Sequence, residues 1–491
     1  MFESGLRLRI PPSPTGSLHL GTARTALYNW LLAKRFKGVF VFRLEDTDRE
    51  RSKSEFVTDI IEGFKWLGID WNEGPLRQSE HKARHQMVVN QLLDKSLAYE
   101  CFCSSEELEQ IRIAQRALNK VEGYDNRHRN LTKEQKEAFR AEGRKPVIRF
   151  KLPNKAEIAW TDLVRGKMSV NASDLGGDPV IAKENGDVLY NFAVVVDDHD
   201  SAINCVIRGE DHLHNTAKQI PIYEAMEWEI PKFAHVPLIL TANREKLSKR
   251  KHGDIASISN YIKAGYLPEA INNYLIAMSW QFPSDNNKEV FTKEEAFKYF
   301  DLKDLSKSAA IYDPLKLNWF CKEHFQRLSA EEVLARAKAG GFLELSNNLE
   351  EYSKEEQLQI ISLMKDGLIK LSDLSNPASA ASLLVFCQAP NLQDLNQEAK
   401  NCLQEPEAKL VLSELNNLLE TSPDFSPEIV QKLLINLAEK TGLKKGKKLF
   451  WPIRVAVSGN VHGADLVSLL NILNKNRLQE RVKATLQYLE I

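Results

Sequence analysis

Over the first fifty residues the apolar positions change period twice. Leu6, Leu8 and Ile10 alternate with Arg7 and Arg9, the two-residue period of a strand with one apolar and one polar face. Ala23, Ala26, Leu27, Trp30 and Leu31 then recur at helical spacing, and Gly38 supplies the stop. The apolar run 39–44 reads as a second, buried strand. Strand, crossover helix and strand predict a right-handed βαβ unit with parallel strands. In open parallel sheets ligands collect beyond the carboxyl ends of the strands, so residues 11–21 and 45–48 are expected on one rim.

Helical spacing resumes over residues 54–67, with Phe56, Ile60, Phe64 and Leu67 on one face, and 71–79 reads as a polar connection. Residues 101–181 are charged and helix-rich, with short strands around 147–152 and 167–170, the pattern of an α+β insertion. The apolar runs 188–196 and 203–207 read as strands of the returning half of the sheet. The first runs into Asp197, Asp198, His199 and Asp200, the second into Arg208, Glu210, Asp211 and His212. A short strand at 238–240 precedes the lysine cluster 246–251, and helices with short turns follow to residue 320. Beyond residue 323, Leu and Ala recur at helical spacing through 333–343, 357–371, 408–419 and 429–441, which predicts an all-α tail.

Composition narrows the class. A chain of 491 residues with 43% apolar content suits about three soluble domains. Lys+Arg 66 against Asp+Glu 67 leaves no global basic excess, so nucleic-acid contacts must come from local patches such as Lys444, Lys445, Lys447 and Lys448. No run approaches the roughly 18 apolar residues of a membrane span, and the N-terminus lacks a signal-peptide pattern, so a cytoplasmic location is expected. The six cysteines are spread over the length, which reads as buried thiols in a reducing compartment.

The chemistry concentrates in residues 11–21, P-P-S-P-T-G-S-L-H-L-G. Gly16 and Gly21 allow close backbone approach, and the helix opening near Gly21 offers N–H groups and a positive dipole end to phosphates, with His19 beside them. A lone histidine before a helix is more often a surface or satisfied residue. The string P-S-P-T-G-S-L-H-L-G after a first strand, however, resembles the first signature of class I aminoacyl-tRNA synthetases in the form carried by glutamyl- and glutaminyl-tRNA synthetases. K-L-S-K-R at 246–250 resembles the second. The chain is similar to the family over nearly its whole length. Its helical tail favours the bacterial glutamyl type, because glutaminyl enzymes build that half from β-barrels. A non-enzymatic RNA-binding descendant would have lost motif residues that are present here.

The resemblance implies an α/β plus all-α fold: a class I synthetase Rossmann-like catalytic domain with an inserted α+β subdomain, a stem-contact connector and an all-helical anticodon-binding half. The expected bounds are 1–100 and 186–240 for the catalytic domain, 101–185 for the acceptor-binding insertion, and 241–322 for the stem-contact domain. Residues 323–380 and 381–491 are the two anticodon-binding domains. It implies attachment of L-glutamate to tRNA(Glu) through a glutamyl-adenylate, with ATP and Mg²⁺, by a monomer. His19, Gly21, Lys246 and Lys249 are the expected catalytic and ATP-binding residues. Arg9, Pro11, Ser13, Glu45, Tyr190 and Arg208 are expected to bind glutamate, Glu45 at its amino group and Arg9 or Arg208 at its side-chain carboxylate. Pro11 departs from the family's usual alanine and has no N–H to offer a substrate.

Two further departures matter. Some relatives hold zinc with cysteines and a histidine in the insertion. Here only Cys101, Cys103, Tyr124 and His128 remain of such a set, and no metal site is expected. In the tail, relatives carry an arginine that checks the third anticodon base, and Gly367 takes its place in the stretch 366–374. That implies relaxed discrimination, so that tRNA(Gln) is charged with glutamate as well. The alternative is that Gly367 only ends or bends a helix, with Lys365 or Lys370 reading the base.

Overall fold

The computed structural model describes residues 5–48, 50–247, 253, 255–283, 288–343, 349–350, 352–376, 379 and 381–490. The chain divides into two compact units, Met1–Asn260 with Asn272–Asp313, and Tyr261–Ile271 with Pro314–Ile491.

The first unit opens with the expected βαβ. Strand β1 (Arg7–Ile10), helix α1 (Leu20–Arg35) and strand β2 (Val39–Leu44) follow one another, and the strands are parallel with Arg9 opposite Val41. Helix α2 (Ser54–Trp66) leads to β3 (Glu73–Arg77), which adds in parallel to β2. This strand occupies the stretch read as a polar connection. Its side chains are almost all exposed, so it carries no apolar alternation from which a strand could be read.

Helix α3 (Lys82–Asp94) is followed by β4 (Ala98–Cys101), α4 (Ser105–Ala117), α5 (Lys133–Ala141), β5 (Val147–Phe150), β6 (Glu157–Asp162), β7 (Gly166–Asn171) and β8 (Val180–Ala182). Then come α6 (Tyr190–Asp200), β9 (Cys205–Gly209), α7 (Leu213–Met226) and β10 (Lys232–Val236). The run 188–196 is thus mostly helix, where a strand was expected. Residues 192–198 are all buried in α6, so the amphipathic period that marks a surface helix is missing and a continuous apolar run is left in its place.

Strands β4, β5 and β8 form a separate antiparallel sheet. A second sheet has the order β7-β6-β10-β9, with β10 parallel to both β9 and β6. Asn204, just ahead of β9, accepts the Arg7 N–H at 2.8 Å and donates its own N–H to the Arg7 carbonyl at 3.3 Å. The carboxyl ends of β2, β1 and β9 therefore lie side by side. One apolar cluster, with Val41, Phe150, Ile158, Phe192, Val196 and Phe233, runs beneath them. Farther on, β11 (Ile239–Leu240) pairs with β12 (Ala310–Ile311).

In the second unit every regular element among the described residues is helical, as expected. Ser329 and Ser353 open two of the helices with capping boxes, and Val411, Leu412 and Leu415 of helix Pro406–Thr421 are fully buried. The periodic stretch 357–371 is shorter than it reads. Its helix stops at Met364, and 3₁₀ turns follow at Lys365–Gly367 and Leu371–Ser375. Among the described residues no helix is long and apolar enough to cross a membrane.

Gly38 does more than end α1. A Cβ there would stand 2.4 Å from the Leu6 carbonyl oxygen, where the chain enters β2 beside β1. Backbone cannot yield as a flexible side chain would. Gly38→Ala is expected to destabilise the protein by about 1–3 kcal/mol, read as a lowered midpoint in thermal or denaturant unfolding. An unchanged midpoint would mean that the strand entry can shift freely.

Candidate active site

Three arginines enter the rim from adjacent strand ends. Arg9 is the penultimate residue of β1, Arg43 of β2 and Arg208 of β9, and all are at most 6% exposed. A guanidinium taken out of water needs opposing charge or hydrogen-bond acceptors. Helix α6 supplies much of the charge: Asp198 accepts from Arg9 Nε at 3.2 Å and lies 2.8 Å from Arg43 NH2. Asp197 stands 3.9 Å from Arg43 Nε, and Glu45 3.6 Å from Arg43 NH2. Burial works against the charge of Arg43, but these three carboxylates outweigh it and raise its pKa.

Arg208 is held differently. Its Nε donates to His235 Nε2 at 3.2 Å, and its NH2 donates to Thr216 Oγ1 at 2.7 Å and Gln219 Oε1 at 2.8 Å. These partners are neutral, so burial pushes its pKa down. Arg9 NH1, Arg208 NH1 and Glu45 Oε1 are buried with no hydrogen-bond partner among the described residues. Burial also raises the Glu45 carboxyl to about 7, against the pull of Arg43 and Arg9.

A cavity of about 460 Å³ collects these groups. Its lining includes Arg9, Pro11, Ser13, His19, Gly21, Glu45, Tyr190, Arg208 and Lys246, which are all the residues expected in the pocket apart from Lys249. Lys249 lies outside the described residues. His19 is the N-cap of α1, with Nδ1 accepting the Gly21 N–H at 2.9 Å, so a neutral ring carries its proton on Nε2. Lys246 pairs with Asp211 at 2.7 Å, and the Tyr190 hydroxyl lies 3.4 Å from His212 Nδ1. Gly367 is exposed at the end of a 3₁₀ turn, and a Cβ there would meet the Ala381 Cβ at 3.3 Å. Lys365 Nζ donates to the carbonyls of Gln326 and Leu328, while the Lys370 N–H is held by Asp373.

Two clusters in this unit could be taken for metal sites. Cys101 Sγ lies 3.3 Å from the Tyr124 hydroxyl and 3.8 Å from His128 Nδ1, but that nitrogen already accepts the Phe102 N–H at 3.1 Å. The Cys103 thiol is pushed up to about 11 by burial, with Cys101 and Glu107 adding to the shift. Cys101, Tyr124 and His128 are engaged with each other and with backbone, and Cys103 with Glu107, so the four groups do not converge as a tetrahedral zinc set. His81 and His85 approach Asp197 Oδ1 at 3.1 and 2.8 Å. The second oxygen of Asp197 takes the Gln78 amide and faces the positive Arg43, which disfavours a cation.

Several of the residues that hold the site have weak sequence signals. Arg43 interrupts an apolar strand run, and His235 sits in the apolar stretch Phe233, Ala234, Val236. A charged or titratable group inside such a run is the available cue.

Residues 5–319 match the family model described as tRNA synthetases class I (E and Q), catalytic domain, and residues 329–486 match an anticodon binding domain. The chain is 41% identical to a glutamate–tRNA ligase of Trichormus variabilis, covering 98% of this chain and 100% of that one. It is 43% identical to the glutamate–tRNA ligase of a Synechococcus species, covering 96% of each. It is also similar to the crystal structure of a glutamate tRNA ligase from Elizabethkingia meningosepticum in complex with its amino acid. The TM-score is 0.82 at 33% identity, over 99% of this chain and 100% of that chain.

The raised Glu45 pKa has a definite sign. Folded, the group holds its proton up to about 7 against an ordinary 4.5, so its contribution to stability falls as pH rises through that window and levels off above it. Glu45→Gln is expected to be near neutral at pH 5 and more stable than the parent by about 1–3 kcal/mol at pH 8. Denaturant unfolding of both proteins at the two pH values measures the difference, and a pH-independent difference would contradict it.

Proposed function

We propose, since the chain belongs to the glutamate–tRNA ligase family of class I aminoacyl-tRNA synthetases, that the cavity at the strand ends takes L-glutamate beside ATP. The observation that carries this reading is the pair of buried guanidinium nitrogens, Arg9 NH1 and Arg208 NH1, without acceptors among the described residues in a cavity that also holds Glu45. A side-chain carboxylate would satisfy the arginines, and an α-ammonium would satisfy Glu45 as a carboxylate. A neutral amide would leave the buried guanidinium charge unpaired, which favours glutamate over glutamine by several kcal/mol, on the order of 10⁴-fold.

The glutamate α-carboxylate then attacks the α-phosphorus of ATP. A new O–P bond forms, the bond to pyrophosphate breaks, and the enzyme holds glutamyl-adenylate. A ribose hydroxyl of the terminal adenosine of tRNA takes the acyl group, and AMP leaves. Positioning and charge carry both steps. The N-terminus of α1 and His19 face the nucleotide phosphates, and Lys246 and Lys249 offset the charge on the departing pyrophosphate, with Mg²⁺ arriving on ATP. The helical second unit binds the anticodon arm. A cytoplasmic location and a monomeric state go with this proposal as expectations of the family resemblance.

Gly367 bears on which tRNA is charged. With no side chain there to read a base edge, and with Lys365 engaged on two carbonyls, discrimination between tRNA(Glu) and tRNA(Gln) is relaxed by about 1–3 kcal/mol. The second reading, in which Gly367 only closes its turn and another residue checks the base, is favoured by its place at a 3₁₀ end.

Arg208→Leu is expected to raise KM for glutamate at least about tenfold while moving KM for ATP little, measured by aminoacylation with each substrate varied. Equal changes in both would remove Arg208 from the pocket. Charging purified glutamate- and glutamine-specific tRNA transcripts with labelled glutamate tests the second point. Both are expected to accept it, and a preference above roughly a hundredfold for the first would reject relaxed discrimination.

A further inference from the structure

Of the three strand-end arginines, Arg208 is the one whose hydrogen-bond partners among the described residues are all neutral, and its aim depends on the ring beside it. His235 and Asp162 are both fully buried, with His235 Nδ1 at 2.6 Å from Asp162 Oδ2. The other oxygen of Asp162 accepts three backbone N–H groups, from Val164 at 3.0 Å, Arg165 at 2.9 Å and His235 at 3.2 Å. An ionised carboxylate only accepts, so Nδ1 carries the proton and Nε2 presents its lone pair. That lone pair receives Arg208 Nε–H, and the Thr216 hydroxyl lies 3.0 Å from the same nitrogen. In the other tautomer Nε2–H would point at Arg208 Nε–H, donor against donor, and the guanidinium would have to turn.

We infer that Asp162 and His235 are positioning residues that aim the Arg208 guanidinium at the substrate carboxylate by holding His235 in its Nδ1–H tautomer. The inference rests on the proposed role of Arg208. The charge states agree with it. Burial lowers the pKa of His235, so the ring is neutral at working pH, and the His235 and backbone hydrogen bonds outweigh burial to hold Asp162 below the usual carboxylate range.

Asp162→Asn is the direct test. The three backbone donors keep the amide oxygen of Asn in the place of Oδ1, so the NH₂ must face His235 Nδ1 and impose the wrong tautomer. Expected are a rise of about tenfold in KM for glutamate, KM for ATP within about twofold, and the same ATP-induced rise in melting temperature as in the parent. A parallel pair covers the case in which that variant fails to fold. In His235→Gln the amide donates to Asp162 and its carbonyl accepts from Arg208, so KM for glutamate stays within about threefold of the parent. His235→Leu can do neither and raises it. In the parent protein, ¹⁵N NMR of labelled histidine, with His235→Gln for assignment, should show the Nδ1–H form, and an Nε2–H signal overturns the inference. Arg208→Leu separates the two layers. If it leaves KM for glutamate unchanged, the pocket reading fails. If it raises KM while folded Asp162→Asn and His235→Leu leave it within twofold, or raise both KM values alike, the positioning role fails.

Discussion

The interior of this site is governed by the desolvation of three arginines. Arg9, Arg43 and Arg208 each occupy the last-but-one position of a parallel strand, and the three strands are neighbours, so three positive charges converge at one rim with almost no access to water. An isolated buried charge is costly enough to unfold a domain, and the surrounding architecture answers that constraint. Helix α6 brings Asp197 and Asp198 to Arg43 and Arg9, and α7 brings Thr216 and Gln219 to Arg208. The fold neutralises two of the arginines internally and surrounds the third with neutral acceptors. The cavity is thereby polarised toward an anion, while Glu45 gives it a carboxyl that is neutral or negative according to what lies beside it.

The network extends beyond the cavity. Asp197 takes His81, His85 and Gln78, and Asp162 accepts backbone N–H groups from its own turn and from the histidine it orients. Each carboxylate thus fixes an element as well as a charge. Chains of buried hydrogen bonds with every acceptor satisfied specify one geometry, and the same low dielectric makes any missing partner expensive.

Much of the catalytic fold could be read from local pattern. Leu6, Leu8 and Ile10, the helical positions from Ala23 to Leu31 and the run 39–44 gave the βαβ unit, because each element is buried on a face that matches its own period. Helix α6 was misread for the same physical reason: enclosed on all sides, it has no polar face to announce a helix. Strand β3 failed in the opposite way, being exposed at the sheet edge. The nine pocket residues that fall among the described positions came together because motif strings mark the loop and strand ends that form the rim. Arg43, Thr216, Gln219, Asp162 and His235 were not legible as a group. Their roles depend on pairings between segments far apart in the chain, Arg43 with Asp198 and Asp162 with His235, and no local period encodes a partner in another element.

The parallel pairing of β6 with β10 has a consequence for modularity. Residues 101–185 look from sequence like a detachable insertion, and β4, β5 and β8 do form a sheet of their own. The hairpin of β6 and β7 does not detach in this way, because Phe233 pairs with Asp162 and the Asp162 carboxylate serves His235 on the adjoining strand. A minimal catalytic core made by excising the whole segment would therefore strip the imidazole of the carboxylate that fixes its tautomer. A truncated or transplanted version of this domain has to retain residues 157–171, and Phe150 and Ile181, which share the apolar cluster of Val41 and Phe192, tie the neighbouring sheet to the same core.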